Sequence, residues 1–402
     1  MKTEQIHRLF LNVGHTLDHL CMLIFATAAA LALNTEWSLS YAELIPYATP
    51  GFVAFGLFAL PAGWLADRWS REGLMVIFFI GLGAASVACA FAQTPMQIGI
   101  GLFCLGFFAA IYHPVGIGLL LSTPGKTGMR VAINGVWGNM GVAVAALLTG
   151  YLIDSQGWRF AFWLPGVFSI ATGILYWQMI VRQPVAINNK ETKEARSSNN
   201  PTLEFDQHLF KQVILVVMLT TALGGLVFQS TTFALPKVLD ERVTSVTTSA
   251  TLIGWIAFFV FAMGSMGQLI VGYLVDKYSP RPVFMGVALL QVIFFAGMLP
   301  ANGWLAIIMA TGFMLAAFGQ IPINDVLVGR VARSEWRSRI LALRYTITIT
   351  VMASSIPLIA WIHATRGFNA LFLLLCLTAV LIFMCTITLP RFTTATPIKA
   401  TA

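Results

Sequence analysis

The feature that most limits this chain is a series of long apolar runs separated by short polar connectors. They lie at about 9–33, 43–65, 73–92, 96–120, 130–153, 159–181, 210–235, 247–275, 282–300, 303–328, 339–362 and 368–389. A bilayer core about 30 Å thick takes about 20 helical residues to cross. Each run is long enough, and none shows the alternating ten-residue pattern of a barrel strand. The first run is too long for a signal-peptide core and carries His15, Asp18 and His19, so it reads as a span. Only 10% of the residues are charged, against about 25% in an average soluble domain. That scarcity excludes a soluble enzyme, a disordered chain and a secreted disulfide scaffold. Cys21, Cys89, Cys104, Cys376 and Cys385 all fall inside apolar runs with no CxxC pair, which gives no disulfide or metal framework. The expected fold is an all-α membrane protein with twelve transmembrane helices.

The few charges have a pattern. Nineteen of the 24 lysines and arginines fall in the tails and in the connectors that share a face with them. Arg159, Lys237, Arg242 and Arg366 fall in the connectors of the other face, and Arg344 lies within a span. This bias predicts cytoplasmic N- and C-termini in a multi-pass protein of the cytoplasmic (inner) membrane. It also accounts for the net charge of +8 without a nucleic-acid partner. Trp37, Trp158 and Trp304 sit near span ends and are expected as interface anchors. The longest connector, 182–209, is polar and carries Asn188-Asn189 and Ser197-Ser198-Asn199-Asn200-Pro201. It reads as a cytoplasmic linker between a six-helix bundle at 1–181 and another at 210–402.

The halves repeat. Gly63-Trp64-Leu65-Ala66-Asp67-Arg68 returns as Gly272-Tyr273-Leu274-Val275-Asp276-Lys277, Arg130 as Arg339 and Pro114 as Pro322. Gly157-Trp158-Arg159-Phe160 returns as Gly367-Phe368-Asn369-Ala370. Four matches at nearly one offset indicate a duplicated six-helix unit. Such duplication is the architecture of secondary transporters, with the site between the halves near the midplane.

With this layout the sequence resembles the major facilitator superfamily over nearly its whole length. The family's loop motif, roughly G-x-L-a-D-R-x-G-R-R, is matched at Gly63, Leu65, Asp67, Arg68 and Arg71, with Ser70 for the second glycine and Glu72 for the last basic residue. The second copy keeps Gly272, Leu274, Asp276 and Lys277. The resemblance implies two pseudo-symmetric six-helix bundles. It also implies a gating role for Gly63, Asp67, Arg68, Arg71, Gly272, Asp276 and Lys277, with Asp67 facing the positive N-terminus of helix 11. A narrower likeness is carried by Gly14-His15-Thr16-Leu17-Asp18-His19, Leu39-Ser40-Tyr41 and Tyr112-His113-Pro114-Val115-Gly116. These segments are similar to the fosmidomycin-resistance branch of efflux proteins, which implies efflux. Val115 stands where that branch has a glutamate, and helix 5 lacks the Gly-Pro pair usual in antiporters.

A charge in mid-bilayer costs about 2.5–3.5 kcal/mol even on a lenient scale, so intramembrane ionisable residues point to function. His15, Asp18 and His19 share one face of helix 1. At about 1.5 Å rise per residue, His113 of helix 4 comes to a similar depth. The expected role is proton coupling, with Asp18 the principal carrier tuned by His15, His19 and His113; a fixed network joining helices 1 and 4 is the structural alternative. His15 and His19 also have the i, i+4 spacing of metal ligands, but a third ligand would have to come from elsewhere. Arg344 is read either as a site for a substrate anion or as a structural partner of Asp67 or of Asp325 at the gate. Tyr112, Asn134, Trp137, Gln229, Gln320, Asn324 and Tyr345 complete the candidate substrate-binding set.

The function expected is proton-coupled transport, by alternating access, of a small organic and anionic solute, with efflux as the direction. Uptake of a nutrient, metallophore or metal ion is the alternative within transport, and a non-transporting membrane receptor the alternative of another class. Substrate-dependent flux separates transport from reception. No HExxH, GxSxG, P-loop or dinucleotide motif supports an enzyme. The expected partners are the small-molecule substrate, protons and the lipid bilayer, in a monomer without cofactors.

Overall fold

The computed structural model describes residues 3–122, 127–181, 207–331 and 334–390. Among them every regular element is helical. Most of the expected linker and the cationic residues Lys126, Arg182, Arg333 and Arg391 lie outside the described residues. The first ten crossing helices are α1 (Glu4–Glu36), α2 (Tyr41–Arg68), α3 (Arg71–Ala90), α4 (Pro95–Ser122), α5 (Met129–Ser155), α6 (Trp158–Val181), α7 (Phe210–Arg242), α8 (Ala250–Lys277), α9 (Pro280–Met298) and α10 (Gly303–Val328). A last continuous stretch, Ser334–Ile387, breaks at Gly367, whose φ is 69°. It therefore divides into α11 (334–366) and α12 (368–387), giving twelve crossings among the described residues.

The duplication read from the sequence is present in the backbone. Gly157 and Gly367 open α6 and α12, and both have positive φ, at 90° and 69°. No atom crowds either glycine, so the left-handed backbone alone explains the residue type. The two halves use the same helix pairs: α1 with α5, α2 with α4 and α3 with α6 in the first. In the second, α7 packs on α11 at Gly225 and Val351, and α9 on α12 at Val292 and Cys376. Ser70, which replaces a motif glycine, caps α3 by accepting a hydrogen bond from the Gly73 amide at 2.9 Å.

Two expectations shift. The apolar run ending near 235 was the expected limit of α7, but the helix continues to Arg242 because Val238 and Leu239 bury one face of its last turns. Lys237 and Arg242 therefore lie on helix rather than in a connector. Trp158, expected as an interface anchor, is 4% exposed; its indole N–H donates to Glu36, and Arg159 pairs with the same carboxylate at 2.7 Å.

The halves meet along two seams, α5 with α8 and α2 with α11. At the first, a Cβ on Gly150 would lie 2.3 Å from the Ala250 carbonyl oxygen, and one on Gly254 would lie 2.7 Å from that of Ala146. Backbone touches backbone here, which only small residues allow. Where α8 begins, the Asp154 carboxylate accepts from Ser249 Oγ and from the Thr251 amide, both at 2.8 Å. Near the end of α11, His363 Nε2 and Glu241 lie 2.9 Å apart, and Tyr41 meets His363 edge to face. These ties lie on the face opposite the basic one. The α5–α8 seam continues inward to Asn139 and Gln268, bonded at 2.6 Å. On the basic face the Asp67 and Asp325 side chains are 71% and 61% exposed. The face opposite the basic one is thus the closed face of the boundary between the halves.

Gly150→Leu is expected to force this seam apart. Cysteines introduced by Asp154→Cys and Thr251→Cys should cross-link in the otherwise unchanged chain and lose that cross-link once Gly150→Leu is added. An unchanged cross-link would show that the seam accommodates the bulk.

Candidate functional site

The site is built around α4. Pro114 has no amide hydrogen to continue the α-helical ladder, and the chain widens into a π-helical turn over Tyr112–Gly116. That turn carries His113 towards α1. His15, Asp18 and His19 sit there on one face, as their spacing predicts. His15 Nε2 and His19 Nε2 are 3.1 Å apart, and the coordinating atoms of His15, His19 and His113 all lie within 4.8 Å of one another. His113 Nε2 is 3.5 Å from Asp18 Oδ2. Asp18 is fully buried, and neither carboxylate oxygen receives a hydrogen bond. The structure thus brings together all four residues of the expected coupling set.

Tyr112 and Asn134, read from the sequence as substrate contacts, are placed differently. Tyr112 is fully buried, its hydroxyl donates to the Leu11 carbonyl at 2.7 Å, and its ring stacks on His15. The Asn134 carbonyl and side-chain oxygens accept from His15 Nδ1 at 2.8 and 2.9 Å. Both residues support the histidine cluster from behind. Trp137 contributes its carbonyl, which accepts from Thr16 Oγ1 and helps dock α5 on α1.

In the second half, Gln320, Asn324 and Gln291 are buried and joined. Gln291 donates to Gln320 at 2.8 Å, Gln320 donates to the Thr220 carbonyl at 3.2 Å, and Thr220 donates to Asn324 at 3.1 Å. This chain ties α7, α9 and α10 together. Gln229 Nε2 and the Tyr345 hydroxyl are buried without a hydrogen-bond partner. Native proteins leave few such groups, so each is a candidate for contact with a solute. Tyr345 lies within electrostatic reach of Asp18, across the boundary between the halves.

Arg344 resolves one choice the sequence left open. Its Nη1 pairs with Asp325 at 2.7 Å, and its Nε donates to Thr221 at 3.1 Å. The expected gate residue Asp67 pairs with Arg71 one turn away at 2.9 Å, and the side chains at the start of α11, which it was expected to face, lie outside the described residues. Arg68 stacks on Trp64, and Lys277 lies over Tyr273 and Tyr278. Gly63 packs on Pro114, where a Cβ would meet the ring at 3.3 Å, whereas Gly272 faces open space and Asp276 is exposed.

Several residues that tie the halves together were not singled out from sequence: Asp154, Glu241 and His363 on the closed face, and Asn139 and Gln268 further along the α5–α8 seam. Only Asp154 had a local signal, an acid at the end of one span with Ser249 positioned as the cap of a later one.

Two pseudo-symmetric helical bundles, meeting at a midplane that holds buried ionisable groups, define the architecture of a secondary transporter. The chain belongs to the Major Facilitator Superfamily, whose family model matches residues 11–248 and again 243–402. It is similar to the gallate transporter of Pseudomonas putida, 25% identical over 283 residues, which is 63% of this chain and 62% of that one. The 4-hydroxybenzoate transporter PcaK of the same organism matches at 25% over the same shares. The match thus spans less than two thirds of either relative. Among solved structures, the xylose transporter XylE from E. coli, in an inward-open conformation, has a TM-score of 0.78, with 13% identity and 98% of each chain covered. The family is one of transporters, not enzymes.

The inter-half cap yields a prediction. Loss of an N-terminal capping side chain costs about 0.5–2 kcal/mol. Asp154→Ala should weaken closure of this face by about that amount. Spin labels at the ends of α5 and α8 should then show a longer distance component; an unchanged distribution would show that Asp154 does not hold the seam.

Proposed function

We propose that the chain is a proton-coupled secondary transporter of a small organic carboxylate, working by alternating access with its basic face in the cytoplasm. The observation that carries the coupling is Asp18, a fully buried carboxylate with no hydrogen-bond donor on either oxygen. Left ionised and alone at this depth it would cost at least about 2.5–3.5 kcal/mol, a cost that uptake of a proton removes. His113, partly exposed and 3.5 Å away, is the route by which a proton reaches it.

The substrate class rests on Arg344 and on the relatives. The guanidinium is 13% exposed while its partner Asp325 is 61% exposed. A pair with one exposed member contributes about 0–1 kcal/mol, so a solute carboxylate can displace Asp325 at little expense. Gallate and 4-hydroxybenzoate, the solutes named for the two relatives, each present one carboxylate on an aromatic ring. Gln229 and Tyr345, whose buried polar atoms have no hydrogen-bond partner, suit the hydroxyl groups of such a solute. Gly63, Asp67, Arg68 and Arg71, with Gly272, Asp276 and Lys277, serve as the gate on the basic face. The relatives are named as transporters without a direction, so the reading is of coupled movement rather than of export alone. Among the described residues the grouped metal-ligating side chains, His15, His19 and His113, belong to one half, which does not favour a metal or metallophore cargo, and the reading of a non-transporting receptor is tested by flux.

Purified protein in proteoliposomes, assayed with labelled 4-hydroxybenzoate and gallate, provides the test. Asp18→Asn is expected to keep substrate exchange at equilibrium but lose accumulation driven by a pH gradient. Full gradient-driven accumulation by Asp18→Asn would refute the coupling role. Arg344→Gln should raise KM by about 30-fold, corresponding to about 2 kcal/mol for a broken buried charge pair. An unchanged KM would remove Arg344 from the substrate site.

A further inference from the structure

The i, i+4 pair His15 and His19 offers two metal ligands from sequence and leaves the third unassigned. The π-helical turn of α4 supplies it. His113 enters from a second helix and completes three imidazoles whose coordinating atoms lie within 4.8 Å of one another. Tetrahedral zinc, with Zn–N near 2.0–2.1 Å, needs ligand nitrogens about 3.3 Å apart. His15 Nε2 and His19 Nε2 already stand at 3.1 Å, so only a small inward swing of His113 is needed.

Two further observations point to a cation. Asp18 is fully buried, accepts no hydrogen bond and has one oxygen 3.5 Å from His113 Nε2, so an anionic fourth donor adjoins the cluster at His113. His15 is also oriented as metal-binding histidines are. Its Nδ1 faces the Asn134 backbone carbonyl at 2.8 Å, which can only accept, so Nδ1 carries the proton and the Nε2 lone pair points into the cluster. In the metal-free arrangement His19 Nε2–H donates to that lone pair. An ion takes the place of this proton, and His19 binds through the nitrogen it frees.

We propose that His15, His19, His113 and Asp18 form a binding site for a divalent metal ion of the zinc class, and that a bound ion blocks transport by clamping α1 to α4. Neutral imidazoles with one carboxylate suit borderline ions such as Zn²⁺ and disfavour Mg²⁺, which keeps oxygen ligands and its own water. All four donors belong to one half of the molecule. The ion is therefore an inhibitor or regulator of the coupling step rather than a cargo passed between halves. His19 and His113 are only partly buried, which gives an ion access to the cluster.

The test is calorimetric titration of Zn²⁺ into the purified full-length protein in detergent, without substrate or gradient. One Zn²⁺ should bind per chain, with no heat from Mg²⁺. Even residues that merely orient metal ligands change affinity by about 10–100-fold, so His19→Gln and His113→Gln should each weaken binding at least that much. His7→Gln and His363→Gln, which alter histidines elsewhere, should not. Thermal unfolding of each variant checks its fold, and if one His variant fails to fold the other gives the reading. Substrate exchange at equilibrium, which does not draw on the proton route through His113, should be inhibited by Zn²⁺ in the parent chain and, measured against its own zinc-free rate, resistant in a folded His113→Gln. Absence of binding, or binding untouched by both substitutions, would overturn the proposal. The outcome is independent of the coupling role of Asp18, which is read from Asp18→Asn accumulation in zinc-free vesicles.

Discussion

The cost of an unpaired charge in hydrocarbon organises this molecule. With only 10% of its residues charged, the chain keeps nearly all of them at helix ends, where water or headgroups solvate them. Backbone polar groups face the same constraint, and continuous helices answer it by satisfying their own hydrogen bonds within each span. Where a helix departs from the regular ladder, the departure is protected. The π-helical turn at Tyr112–Gly116 is buried against α1 and α2 rather than facing lipid. The interior charges that remain, Asp18 and Arg344, therefore stand out energetically as well as chemically.

They stand in different halves and in different states. Arg344 has an ion partner and a hydroxyl acceptor. Asp18 has a ring of histidines but no hydrogen bond, so its environment is set for a change of occupant. His15 is held from behind by Asn134 and Tyr112, which fixes one lone pair in place while His19 and His113 remain partly accessible. A rigid back and an accessible front are what a site needs if a small cation is to enter and leave without repacking the bundle.

The sequence carried the fold and much of this cluster because both depend on short-range patterns. Apolar runs mark the spans, the i, i+3, i+4 spacing puts His15, Asp18 and His19 on one face, and the rise per residue sets the depth of His113. The sequence could not say that Tyr112 and Asn134 lie behind His15 rather than in the cavity, since that depends on the rotation of α4 and α5 about their axes. Nor could it choose between Asp67 and Asp325 for Arg344, because both are acids near the basic ends of neighbouring helices. The ties through Glu241, His363, Asn139 and Gln268 were least legible. They pair residues more than a hundred positions apart, and each looks locally like an ordinary polar residue near a helix end.

The loop-motif end of α2 and the histidine cluster also share structure. On the closed face Asp154 caps α8 across the boundary, while on the basic face Asp67, the acid of the loop motif, is turned to its own helix-end neighbour Arg71. Tight backbone packing at Gly150 and Gly254 leaves no slack on the closed side. Bringing the basic ends together therefore requires the opposite ends to part. The α2 helix that bears Asp67 reaches the cluster through Gly63, which rests on Pro114 beside His113. Rotation of the basic end of α2 moves the wall against which the His113 turn is held. Under the proposed roles of Asp18 and Asp67, the coupling cluster and the gate thus meet where the Gly63 backbone rests on the Pro114 ring, and a bulkier residue at position 63 would set them against each other.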